Sequence, residues 1–395
     1  MASYPWGGSE ELWSGAALRL VGESHKVAAS VEFWPQLSTQ VTGLAERGIC
    51  LWVRRRELPR LPVRAWRRIM RRKSKDQEWL RRQNPDLVII SQGGNSDGLG
   101  WMKFCLETGL PFIAVVQCNS EHLWYDSGAE LAEVYRAARK VFCVSRHNLE
   151  LLECQIGEPL PNGVVIWNPH NVPRNQLPTW PRKSDVWKLA CVARLEPAAK
   201  GQDLLFAVLA RPQWRNRAIE VNLYGGGRCE HGLRQLMQRL RLNNVHFRGY
   251  IADVKAIWEQ NHILVLPSRL EGLPLALVEA MLCARPAVVT DVGGNAELCV
   301  DGETGFVAAA PAMCILEQTL ERAWNYRHEW QRLGAAARIR AERLISSDPI
   351  GDFCCEILEC ASSESHSQQG SGKKTEKPVC RQRHRELSAL KLSKH

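Results

Sequence analysis

No apolar run in this chain approaches the roughly 18 residues that a bilayer-spanning helix needs, so the sequence offers no such span. The opening MASYPWGGSEELW has neither a basic n-region nor an apolar h-region, and no secretory signal is visible in it. Fourteen cysteines are scattered without a C-x-x-C, with one adjacent pair, Cys354 and Cys355. That pattern speaks against a zinc site or a disulfide framework and for reduced thiols in the cytoplasm. There is no Walker loop, no Ser-His-Asp set, no internal repeat and no D-x-D pair. The last of these removes the usual carboxylates for a metal-bridged diphosphate, and no metal site is expected.

What is present is bulk, charge and alternation. At 395 residues the chain exceeds one ordinary core, and two domains are expected. The formal charge is +10, with a pI of about 9.0. Much of it lies between Arg54 and Lys75, where Glu57 is the single acid. Val63, Trp66, Ile69 and Met70 recur there at helical spacing after Pro62. Two readings stay open: a basic amphipathic helix lying on an anionic membrane, or a solvated Arg-rich helix. Nucleic acid is not expected as a partner, because the run lacks aromatic interleaving and a binding signature.

Short apolar runs alternate with longer amphipathic stretches. Strands are expected at Lys26–Val31, Leu87–Ser91, Phe112–Gln117, Lys140–Ser145 and Val164–Trp167, then at Trp187–Ala193, Ala218–Tyr224, Val245–Gly249, His262–Leu266 and Ala287–Thr290. Helices fall between them, among them Leu233–Leu242 and Val254–Asn261. The proline-rich NPHNVPRNQLPTWPRKSDV parts the two series. The expected layout is a first domain at 1–170, a linker at 171–186 and a second domain at 187–345. A helix at 346–361 should cross back to the first domain, and 362–395 reads as a disordered basic tail. Strand–helix alternation in both halves predicts an α/β protein of two doubly wound parallel sheets, with ligands beyond the carboxyl ends of the strands.

Three stretches of the second half point to one site. In CVARLEPAAKGQDLL, Arg194 and Lys200 follow a strand, where two cations suit a diphosphate. In LYGGGRCEHG, Gly225 and Gly226 let backbone amides approach a ligand, although a lone glycine turn is weak evidence. In SRLEGLPLALVEAMLCARP, Pro274 suits the first turn of a helix running to about Cys283. Gly272, Leu273, Pro274 and Leu275 then present a helix amino terminus to phosphate or sugar oxygens. Glu271 precedes that terminus and Glu279 lies inside the apolar run, where an unpartnered carboxylate would be costly. Both are placed to accept from vicinal hydroxyls. Glu297 reads equally as a cap for the Gly293-Gly294 turn or as a ligand contact.

The order R-x5-K-G, GGG after a strand, VLPS-x2-EGLPLALVEAM and TDVGGNAELCVDGETGF resembles the family-4 retaining glycosyltransferases of the GT-B fold. Glu271 and Glu279 match that family's E-x7-E pair, and the resemblance spans about residues 187 to 310. It implies two Rossmann-like domains facing across a cleft, and a nucleotide diphosphate sugar as donor substrate, with no further cofactor. Arg194 and Lys200 would hold the diphosphate, Glu271 the transferred sugar and Glu279 the ribose. Tyr250, within Phe247–Ile251, would flank the base. One departure is Ala284-Arg285, where the family usually carries a glycine before the proline; little consequence is expected of it.

The first half resembles the family less closely. YPWGGSEELW is similar to its amino-terminal glycine loop, with Gly7 and Gly8 near the leaving phosphate and Ser9 as the helix cap. The family has a strand before this loop, so the chain is expected to lack the first strand of that domain. Gln117 stands where many relatives have a histidine, and Asn119, His122 and Arg146 are the candidates on the acceptor side. The reading is a retaining, metal-independent glycosyltransferase acting on a sugar or lipid-linked acceptor, cytoplasmic and peripheral at the membrane. Two alternatives of the same fold are a non-catalytic nucleotide-sugar or membrane-surface binding protein and a sugar-nucleotide epimerase.

Overall fold

In the computed structural model of the chain, residues 6–35, 38–54, 75–126, 128–175, 177–182 and 184–362 are described. The basic run 54–75 falls outside them except at its two ends, as does the tail beyond Ser362. The second lobe is the more regular. Its six strands are β7 (Trp187–Val192), β8 (Ile219–Tyr224), β9 (Val245–Gly249), β10 (Ile263–Leu266), β11 (Ala287–Thr290) and β12 (Gly305–Ala308). They pair in parallel in the order β12-β11-β10-β7-β8-β9, so the chain switches direction beside β7. Period-two alternation divides the apolar residues between the faces. Leu189, Cys191, Ile263, Val265 and Val288 pack under helices Gln202–Leu209 and Met313–Asn325. Ala190, Leu264, Leu266, Ala287 and Val289 pack under helices Leu275–Leu282 and Trp330–Leu344.

The first lobe's sheet comes in two parts. Four parallel strands run β3 (Val88–Gln92), β4 (Phe112–Val116), β5 (Val141–Cys143) and β6 (Gly163–Val165). A separate parallel pair, β1 (Ala28–Glu32) with β2 (Cys50–Arg54), is not hydrogen-bonded to them. The same alternation works here. Phe112, Ala114 and Val116 face helices Leu99–Thr108, Gly128–Ala137 and Arg146–Ile156. Ile113, Val115 and Phe142 face helices Gly8–Gly22 and Pro349–Ser362. The last helix of the described chain thus packs on the first lobe. Lys140 of that lobe pairs with Glu356 and Glu359, and Arg139 donates to the Cys360 carbonyl.

Two local expectations need correcting. Ser9 does not cap the first helix: the extended residue before it is Gly7, and the Ser9 hydroxyl donates to Glu10 Oε2 at 2.7 Å. The change at Ala284 is also not without consequence. Ala284 has φ +55°, the left-handed region that a glycine would occupy freely. Beside it Arg285 is buried to 1% exposure and donates to the carbonyls of Trp258, Asn261, Cys283 and Thr179. Its guanidinium also lies 4.8 Å from the Trp180 ring centroid, so this one side chain ties the linker to the second lobe. Burial brings that guanidinium down to about 10, offset only in part by Cys283 and Glu259.

Candidate active site

Three loops meet at the carboxyl edge of the second sheet. The loop after β7 is joined to the loop after β8 by Leu195 N–H donating to the Gly226 carbonyl at 3.0 Å. It is joined to the loop after β10 by Arg269 N–H and Leu270 N–H donating to the Ala199 carbonyl at 2.7 and 3.1 Å. The Arg269 guanidinium clamps Asp203 through two bonds of 2.7 and 2.8 Å, which fixes the approach to Glu271. Gly225 sits at φ +122°, and a β-carbon there would come within 2.3 Å of the Ala193 carbonyl oxygen. Only glycine serves at that turn.

Lys200 ends the short helix Pro197–Lys200, and its ammonium lies 2.7 Å from each oxygen of Glu271. The Ser268 hydroxyl donates to Glu271 Oε1, also at 2.7 Å. Both partners are largely withdrawn from water. Arg194 is more open; it stands 3.6 Å from Glu196, which also pairs with Arg228 at 2.7 Å. Glu279 lies deep in helix Leu275–Leu282, whose amino end is Pro274. Burial pushes its carboxyl up to about 7, relieved only in part by the Asn171 N–H, which donates at 3.2 Å. Tyr250 is 82% exposed, one residue beyond Gly249, whose carbonyl accepts the Gly225 N–H at 2.8 Å.

The first lobe closes on this edge. A β-carbon on Gly272 would stand 2.0 Å from the Gln117 carbonyl oxygen and 2.7 Å from Val144 Cγ2. Gly8 packs against the Leu275 side chain. The buried Gln117 amide is oriented by Asn168 Nδ2, which donates to Gln117 Oε1 at 2.8 Å. That leaves Gln117 Nε2, among the described residues, a buried donor without a partner. Next to it burial pushes the Cys118 thiol up to about 12, so it stays neutral and unreactive at neutral pH.

Of the other candidates, Asn119 is buried within the first lobe. It donates to Gln155 Oε1 at 2.7 Å and accepts from Ser120 N–H at 2.9 Å, which holds the loop after β4. His122 and Arg146 are exposed. The Glu297 carboxylate accepts from the backbone amides of Arg146 and His147 across the lobes. Sequence reasoning did not find Ser268, the Gln117–Asn168 pair or this role of Glu297, because none is signalled by local spacing.

Residues 187–322 match the profile described as Glycosyl transferases group 1. The match covers about a third of the chain and most of the second lobe, which thus resembles a group 1 glycosyltransferase domain. Within it fall Arg194, Lys200, Glu271 and Glu279. An O-antigen biosynthesis glycosyltransferase of Escherichia coli is 28% identical over 158 residues, which is 40% of this chain and 43% of that one. A lipopolysaccharide core biosynthesis mannosyltransferase of Rhizobium leguminosarum is 41% identical over 68 residues, 17% of this chain and 19% of its own. The matched stretch therefore spans under half the length of these curated relatives. Anabaena HepE, solved in complex with UDP, superposes with a TM-score of 0.69 at 19% identity, over 91% of this chain and 98% of its own. The two lobes thus form a GT-B fold, as the resemblance implied.

Proposed function

We propose that the chain is a retaining, metal-independent glycosyltransferase that moves a hexosyl group from a nucleotide diphosphate sugar to an acceptor hydroxyl. One observation carries the reading: Glu271, Lys200 and Glu279 surround the start of a single helix, directly opposite Gly8 and Gln117. A diphosphate there would meet the helix amides, the Lys200 ammonium and the Arg194 fork. Glu271 would take hydroxyls of the sugar and Glu279 those of the ribose.

In the transfer step the acceptor oxygen bonds to the anomeric carbon as the bond from that carbon to the β-phosphate oxygen breaks. Attack from the same face keeps the configuration, and the acceptor proton passes to the departing phosphate. The protein's share is positioning and stabilisation of the charge that develops on the diphosphate. The absence of a D-x-D pair supports neutralisation by Lys200, Arg194 and amides. UDP in the Anabaena neighbour makes a UDP sugar the first donor to try. The names of the relatives favour an acceptor in polysaccharide or glycolipid synthesis. The basic run 54–75 suits an anionic lipid surface on which such an acceptor would sit.

The test is turnover by the purified full chain with a panel of UDP sugars and glycan or lipid-linked acceptors, with chelator present. The anomeric configuration of the product is read by NMR. An axial donor bond giving an equatorial product removes retention, and release of UDP that requires a divalent ion removes metal independence. UDP binding without turnover of any donor leaves a nucleotide-sugar binding protein.

A further inference from the structure

Helix Arg146–Ile156 of the first lobe begins against the second lobe. Its first two amides, those of Arg146 and His147, donate to the two carboxylate oxygens of Glu297 at 3.1 and 2.8 Å. The third amide, of Asn148, is taken within the lobe by the Ser145 hydroxyl at 3.2 Å. A helix end carries partial positive charge and unsatisfied N–H groups. Here an acid from the opposite lobe completes it.

Glu297 is itself held from behind. The Arg340 guanidinium donates to the carbonyls of Leu298 and Glu297, both at 2.8 Å. The same turn reaches the donor loop, for Gly294 N–H donates to the Gly272 carbonyl at 2.7 Å. Ser145 Cβ lies 2.8 Å from where a Gly294 side chain would begin, so the lobes are in close contact around this bond. One carboxylate therefore connects three things: the first lobe's helix, the Gly293-Gly294 turn and the loop that carries Glu271.

We infer that Glu297 is an interlobe latch, a positioning residue whose bond to the start of helix Arg146–Ile156 holds the cleft closed over the donor loop. Its effect on transfer rests on the glycosyltransferase reading; its effect on closure does not. The experiment compares the full chain with Glu297→Ala and Glu297→Gln, the latter keeping the shape and one acceptor oxygen. Hydrogen exchange of the Arg146 and His147 amides and small-angle scattering of the lobe separation are read with and without UDP. In Glu297→Ala those amides should exchange about tenfold faster, and the lobes should move apart. Glu297→Gln should fall between that variant and the parent.

UDP affinity should change less than about threefold, since the nucleotide contacts lie in the second lobe, while kcat drops roughly tenfold at unchanged donor KM. Exchange and scattering equal to the parent in both variants would overturn the latch. If the parent chain transfers no sugar from any donor, exchange and scattering still decide the latch, and only the kinetic arm falls with the functional reading.

Discussion

The Lys200 ammonium lies 2.7 Å from both carboxylate oxygens of Glu271, in a pair of which only 15% and 5% of the side chains meet solvent. The pair is thus internally neutralised, and under the proposed function an arriving diphosphate would have to share Lys200 with Glu271. Removing one member of a buried pair strands the other charge, at a cost of about 3–5 kcal/mol. Lys200→Ala should therefore lower stability toward urea as well as abolish transfer. Adding Glu271→Gln should recover most of the stability and none of the activity. Additive losses in the double variant, measured by urea unfolding, would show that the two groups are not coupled.

If Glu279 holds the ribose as proposed, it links nucleotide affinity to pH. Its carboxyl stands near 7 in the folded chain against a usual 4.5. Its stability contribution is therefore complete below pH 4.5 and is lost as pH rises through 7. The loss is of order 3 kcal/mol. Glu279→Gln should thus be more stable than the parent at pH 8, with the difference closing toward pH 5. If Glu279 accepts ribose hydroxyls it does so best ionised, so UDP binding should strengthen from pH 6 to pH 8 and release protons. Calorimetry in buffers of different ionisation enthalpy reads both; equal affinities and no proton release would remove the ribose role.

Ala284 offers a gain rather than a loss. A non-glycine residue at φ +55° is strained by roughly 1 kcal/mol. Its carbonyl already packs against Gly334, where a β-carbon would stand 2.1 Å away, so the backbone there has little freedom to relax. Ala284→Gly should raise the thermal midpoint by a few degrees with UDP affinity unchanged. A lowered midpoint would mean that the entropy of the added glycine outweighs the relieved strain.

Much of the fold was legible because the strands alternate so cleanly. VHFRG and AVVT form β9 and β11 over the residues expected, each bounded by turn residues. β2 was not foreseen because CLWVR runs without a break into the arginines after it. β12, the four residues GFVA directly behind a turn, is too short to show a period. In the site, Glu271 and Glu279 stood out because a carboxylate in an apolar run needs a reason. Glu297 and Gln117 were noticed but not their partners, the Arg146 and His147 amides and Asn168, since no local spacing records a contact so distant in the chain.

Closure can be tested at its tightest point. Gly272 lies where the loop before helix Leu275–Leu282 meets the first lobe, and a β-carbon there would stand 2.0 Å from the Gln117 carbonyl oxygen. That oxygen is backbone at the end of β4, whose strand is fully buried, so it cannot swing aside. Gly272→Ala should therefore hold the lobes apart while leaving the second lobe and the donor site proposed in it folded. The expected result is near-normal UDP affinity with transfer reduced by about a hundredfold or more, since misplacement of the reacting groups by an ångström has that effect. Calorimetry and initial rates on the same preparation separate the two quantities. A variant that binds UDP and also transfers at the parent rate would show that the Gln117 edge of the first lobe takes no part in the reacting geometry.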